Sequence, residues 1–213
     1  MGQQLSEQKI IHATLESILD AHTHYQEMNG DKSWWLRYAP EYFLTVRIAE
    51  SIFDQRKQGN IFVSLEYKMD DILDNLGKGS GRVPKKIRKD GRSDIVLWNR
   101  LNSEWSARAI IEVKNQVSSY NENIRKDIER IGTAVKKYPL QFGLFAFYTS
   151  VDKNKEHLRG IIKHLRCKAE ETIRGISPEF PELRLDVIDK YVTEYVKKTE
   201  HSYCAVVFHI KKR

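Results

Sequence analysis

Asp94-Ile95-Val96-Leu97-Trp98 and Ala107-Arg108-Ala109-Ile110-Ile111-Glu112-Val113-Lys114 are two apolar runs on either side of a polar turn, Asn99-Arg100-Leu101-Asn102-Ser103. This pattern predicts a β-hairpin. A buried strand rarely carries charge, because an unpaired ion in apolar surroundings costs several kcal/mol. Residues Ile110 to Lys114 break that rule twice in three positions. A period of two puts Glu112 and Lys114 on one face of the strand and turns Val113 into the opposite layer. Asp94 opens the preceding strand, so closing the hairpin brings two carboxylates and one ammonium to a single sheet edge.

Outward from the hairpin, the chain alternates helical and extended patterns. Leu5 to Ala21 has helical spacing (Ile11, Leu15, Ile18, Leu19), and Tyr42 to Phe53 reads as a second helix begun by Pro40. Ile61 to Met69 suits a strand and Asp70 to Leu76 a short helix. After the hairpin, Ile124, Ile128, Ile131, Val135 and Tyr138 mark an amphipathic helix, and Phe142 to Tyr148 is apolar on both faces, as in a buried strand. A long helix from about Asn154 to Arg174 and two further strands, Leu183 to Ile188 and Ser202 to Ile210, complete the chain. The expected class is α/β, a mixed sheet flanked by helices, in one domain over residues 1–213 with N-terminal helices in 5–57.

Composition narrows the function. The 213 residues hold 36 Lys+Arg and 29 Asp+Glu, a net charge of +7. The excess is uneven: residues 1–76 carry 7 basic and 12 acidic side chains, which leaves 29 basic and 17 acidic, net +12, for the rest. The densest stretch is Gly77 to Arg92, where Lys78, Arg82, Lys85, Lys86, Arg88, Lys89 and Arg92 face one acid, Asp90. Glycines and Pro84 make it a loop, and its charge suits a polyanion. Its plain alternative is a solvated loop with no partner. Two cysteines, Cys167 and Cys204, make neither a zinc cluster nor a disulfide framework, so a reducing, cytoplasmic setting is expected. No run reaches the ~18 apolar residues of a membrane span, and the absence of a Gly-rich Walker loop argues against a nucleotide cofactor.

The paired carboxylates suggest the chemistry. Mg2+ and Mn2+ take oxygen ligands. Asp94 and Glu112 supply two, and the main-chain carbonyl of Val113 is a candidate third. Lys114 beside them can hold water or stabilise charge on a transferring phosphate. The plain alternative is a structural ion pair on a solvated sheet face.

Gly91-Arg92-Ser93-Asp94, followed 18 residues later by Glu112-Val113-Lys114, resembles the PD-(D/E)xK nuclease superfamily. Ser93 stands where the family pattern has proline, which removes no ligand. The resemblance covers residues 34–150 in organisation and four or five residues in chemistry. It implies a restriction-endonuclease-like three-layer fold. It also implies Mg2+-dependent DNA endonuclease activity, with 5′-phosphate and 3′-hydroxyl products, in restriction, defence or a mobile element. Some relatives act as homodimers. The alternatives are a non-catalytic nucleic-acid-binding or regulatory protein on the same fold, and a nuclease of RNA or branched DNA.

The superfamily often adds a glutamate from the helix before the sheet. At about 100° per residue, Leu44, Thr45, Ile48, Ala49 and Ile52 lie within roughly 80° of Glu41, whereas Glu50 falls at about 180°. Glu41 is therefore the expected third acid of the metal and catalytic set, with Glu66, on an otherwise apolar strand, next. Asp127 and Arg130 on the helix after Lys114 are auxiliary candidates. Arg159, Lys163 and Arg166 share a helix face that can extend a basic track. Trp34 and Trp35 read as core, and His22 and His24 as a surface pair at a helix end.

Overall fold

The computed structural model describes residues 4–55, 61–77, 83–87, 91–101, 104–176, 182–196 and 199–213. Two helices lead in: α1 (Glu7–Asn29), capped by the Ser6 hydroxyl and ended by Gly30 at φ 67°, and α2 (Glu41–Asp54). Strand β1 (Phe62–Lys68) and the short α3 (Met69–Asn75) follow. The hairpin is β2 (Arg92–Leu101) and β3 (Glu104–Lys114). Helix α4 (Glu122–Lys137), capped by Asn121, leads to β4 (Phe142–Val151). Helix α5 (Lys155–Ile176) then precedes the long hairpin of β5 (Leu183–Val196) and β6 (Thr199–Lys212).

The six strands form one mixed sheet in the order β1-β2-β3-β4-β6-β5. The β3–β4 pair is parallel and the other pairs are antiparallel. A parallel neighbour needs a crossover, and α4 supplies it. Each sheet face has its own core. Val96, Trp98, Ile110, Phe145 and Phe147 pack under α3, α4 and α5. Ile95, Leu97, Ile111, Val113 and Tyr148 pack under α1 and α2. The alternation within β2 and β3 is thus the layer structure itself: α, β, α. At ~1.5–3 kcal/mol for each fully buried large aliphatic or aromatic side chain, these two faces hold the sheet in place.

Two details set up the end of the sheet where β2 starts and β3 stops. A Cβ at Gly143 would overlap Ile131, so glycine lets α4 lie close on β4. The β2–β3 register runs through Ile95 opposite Ile111, and one further step sets Asp94 opposite Glu112. Among the described residues, no helix is long and apolar enough to cross a membrane.

Candidate active site

Asp94 and Glu112 face each other across β2 and β3, on the α4 side of the sheet. Asp94 Oδ2 accepts a 2.7 Å hydrogen bond from the Val113 amide, which fixes the carboxylate over the end of β3. Glu112 is 1 % exposed. Its Oε2 is ion-paired with Arg130 of α4, while Oε1 is buried with no hydrogen-bond partner among the described residues. Burial pushes the Glu112 carboxyl up to about 8, against the pull of Arg130; the neighbouring Asp94 and Asp127 charges add to the rise. Burial also raises Asp94, offset in part by the Val113 amide and Lys114, while Glu41 and Glu66 add to the rise. Burial is the main cause of both rises, and it favours the neutral form of each acid.

Lys114 Nζ donates to Glu41 Oε1 at 2.9 Å and lies 3.8 Å from Asp127 Oδ2. Burial lowers the pKa of this amine, but the Glu41 bond and the charges of Glu41, Asp127 and Asp94 outweigh it, so the group is held more firmly as an ammonium. It can stabilise negative charge and cannot serve as a base. Arg130 also donates to Asp127 Oδ1 at 3.1 Å. A chain of alternating sign therefore runs Glu41, Lys114, Asp127, Arg130, Glu112.

Glu41 reaches Lys114 from the first turn of α2, with its side chain 42 % exposed. Its position depends on Asn115, whose amide nitrogen Nδ2 donates to the carbonyls of Leu36 at 2.7 Å and Ala39 at 2.8 Å. The Asn115 main-chain N–H also points to Glu41 Oε2 at 3.4 Å. Asn115 thus ties the segment before α2 to the end of β3, a role that no periodicity in the sequence signals. A cleft of about 330 Å³ opens here, lined by Glu41, Lys114, Asn115, Ser118, Asn121 and Asn123 among others. Among the described residues, Glu66 (φ 50°) and Gln116 (φ 55°) are the non-glycine residues in the left-handed region. Gln116 lines this cleft just past Lys114, and Glu66 lies on β1 across from Asp94. Such strained positions cluster at functional sites.

The sequence expectations meet the structure unevenly. Asp94, Glu112, Lys114 and Glu41 converge, and Glu50 instead pairs with Arg47 on the exposed side of α2. Asp127 and Arg130, expected only as auxiliaries, are 7 % and 5 % exposed and belong to the centre of the network. Glu66 is exposed on β1 and acts on Asp94 through its charge. Among the described residues, no three His, Cys, Asp or Glu side chains stand close enough together to hold a metal. Glu41 is drawn to Lys114 rather than joining Asp94 and Glu112.

In the basic loop, Lys85, Lys86 and Arg92 are exposed, and Lys86 lies 3.4 Å from Glu129. Lys78, Arg82, Arg88 and Lys89 lie outside the described residues. Arg159 and Arg166 pair with Glu156 and Glu170 on their own helix, each at 2.7 Å, which weakens the expected basic track. Trp35 is core and Trp34 is 45 % exposed. Two expectations are overturned: Trp34 is exposed rather than core, and His22 is not at the surface. It is fully buried because α1 continues eight residues past Ala21, and His22 falls on the same face as Leu15, Ile18 and Leu19. Comparison with protein-family profiles, with curated proteins and with solved structures returns no match.

Proposed function

We propose that the protein is a divalent-metal-dependent nuclease that hydrolyses DNA phosphodiester bonds on a restriction-endonuclease-like core. The observation that carries this reading is the Asp94–Glu112 pair. Two desolvated carboxyl groups face each other, one with a buried oxygen that has no hydrogen-bond partner among the described residues, beside a firmly protonated lysine. A cross-strand pair of carboxylates is destabilising when both are ionised, and a bound divalent cation would relieve it. The donor set is all oxygen, which suits Mg2+ or Mn2+. Asp94 and Glu112 would hold the ion, with the Val113 carbonyl a candidate further donor. When bound, the metal supplies Lewis-acid stabilisation of the phosphate and an activated water. The order helix, three-stranded antiparallel meander, crossover helix and parallel strand supports the restriction-endonuclease-like reading.

Lys114 would place its ammonium against charge developing on the phosphate, with Glu41 and Asp127 orienting it from two sides. Exposed Lys85, Lys86 and Arg92, at the approach to Asp94, would contact the nucleic-acid backbone, a contact that positions a strand without reading its sequence.

The test incubates purified protein with plasmid, linear duplex, single-stranded DNA and RNA in Mg2+, Mn2+ or EDTA, beside Asp94→Ala and Lys114→Ala. Metal-dependent cutting of DNA, lost in both variants, is the expected result. Cutting of RNA alone would redirect the substrate. Metal-dependent binding without cleavage would leave a regulatory protein on the same fold. Equal cutting by wild type and variants would overturn the site.

A further inference from the structure

Arg130 is the least accessible cation near the cleft. Its side chain is 7 % exposed and that of Glu112 is 2 %. The guanidinium is divided between two carboxylates: it is ion-paired with Glu112 Oε2 and donates to Asp127 Oδ1 at 3.1 Å. Its Nε and Glu112 Oε1 are both buried without a hydrogen-bond partner among the described residues. The pair is thus close but half satisfied, which is unusual for buried charge; such groups normally find partners for all their polar atoms. Glu41, Asp94, Glu112 and Asp127 against Lys114 and Arg130 leave a formal surplus of two negative charges when all are ionised, which one divalent ion cancels.

We propose that Arg130 is a built-in counter-cation for Glu112, holding that carboxylate when no divalent ion is present and yielding it when one binds. This rests on the reading that Asp94 and Glu112 take a metal, and deepens it by naming what the metal must displace. Arg130 and the ion compete for one carboxylate, so their binding is antagonistic. Asp127 keeps the released guanidinium at the cleft, beside Lys114, where its donors suit a phosphate oxygen. Arg130 is therefore a positioning residue that sets how tightly the metal binds.

Mn2+ binding to the full chain, measured by the loss of free-ion paramagnetic resonance signal, tests this without reference to cleavage. Arg130→Met is expected to bind Mn2+ about tenfold or more tightly than wild type, because a like charge has left the ion's neighbourhood. Arg130→Lys, which keeps the charge, should fall near wild type. Equal affinity in Arg130→Met and wild type, with Glu112→Gln abolishing binding, would overturn the proposal and leave the metal site standing. No binding to any form would overturn both. Should Arg130→Met fail to fold, the wild type still decides: the Arg130 Nε–H resonance, assigned by its loss in Arg130→Lys, is expected to shift on saturation with Mg2+. A resonance unmoved at saturation would overturn the proposal.

Discussion

Two buried polar clusters lie on opposite faces of the same sheet, and they are built in opposite ways. On the α1 face, His22 is stacked on Tyr203 with centroids 4.0 Å apart and meets the edge of Trp35 at 5.1 Å. Its Nδ1 is 3.1 Å from the Tyr148 hydroxyl and accepts from the Leu36 N–H at 3.5 Å, while the Gln26 amide lies 3.1 Å from Nε2. Both ring nitrogens have polar neighbours and the ring is neutral, since burial pulls its pKa down to about 4. On the α4 face, Glu112 and Arg130 are paired and crowded, and each has a buried atom with no hydrogen-bond partner among the described residues. A satisfied cluster fixes a structure. A half-satisfied one retains the capacity to bind something else.

The largest expected effect separates the two directly. Lys114→Ala should lower metal-dependent cleavage by about 1,000-fold, or about 4 kcal/mol of transition-state stabilisation, with little change in thermal midpoint, because Glu41 is already half exposed. Asp94→Asn should be comparably inactive yet at least as stable as wild type, since Asn retains an acceptor for the Val113 amide and removes a desolvated charge. A fall in midpoint by many degrees in either variant would assign these residues to the structure instead.

His22→Ala is expected to do the reverse. Losing the stacked ring and its hydrogen bonds should cost about 3 kcal/mol of stability, read by chemical denaturation, while cleavage per folded molecule stays near wild type. The same residue predicts an acid limit. Its pKa is about 4 in the fold against 6.5 unfolded, so the unfolded chain takes up the proton first. Stability on this account is intact above about pH 6.5, falls as pH drops towards 4, and levels off below, by about 3 kcal/mol in all. His22→Phe should flatten that slope; an unchanged slope would locate the acid sensitivity elsewhere.

These two clusters also differed in how far the sequence disclosed them. Glu112 and Lys114 stood out because charge interrupts an apolar strand, and the two-residue period told which way both point. Arg130 and Asp127 were harder to read: on a helix rich in Lys, Arg and Glu, nothing local separates the buried charges from the solvated Arg125 and Glu122. His22 lies three and four residues beyond Leu19 and Ile18, on the same helical face, but the apolar pattern stops at Ala21 while the helix runs on to Asn29. Strand β5 runs on to Val196 although Asp189, Lys190 and Glu194 look unlike a strand, because continuous pairing with β6 through residue 196 outweighs local preference. Asn115 gave no signal, since its work is a hydrogen bond to residues 76 and 79 positions away.

Asn115 tests whether the two faces communicate. It ties the Leu36 and Ala39 carbonyls to the end of β3, and the Leu36 N–H in turn meets His22. Asn115→Ala should cost about 1–2 kcal/mol for the freed carbonyls and lower cleavage about tenfold by loosening Glu41. Asn115→Asp keeps the size but loses both donors and should match it. Full activity in both variants would show that α2 holds Glu41 without this tie.

The smallest effect is the most selective. Glu66 adopts φ 50° opposite Asp94, a conformation that costs a side-chain-bearing residue about 1 kcal/mol relative to glycine. It also adds negative charge to a carboxylate that burial already disfavours. Glu66→Gly removes the strain and the charge, so it should stabilise the protein by about 1 kcal/mol, a rise of a few degrees in midpoint. Glu66→Gln removes the charge alone and should recover only the electrostatic part. If both variants bind Mn2+ more weakly than wild type, Glu66 belongs with the half-satisfied cluster, as a remote charge that draws the ion. If only the glycine variant gains stability and neither changes Mn2+ binding, Glu66 is a strained residue that shapes the strand and nothing more.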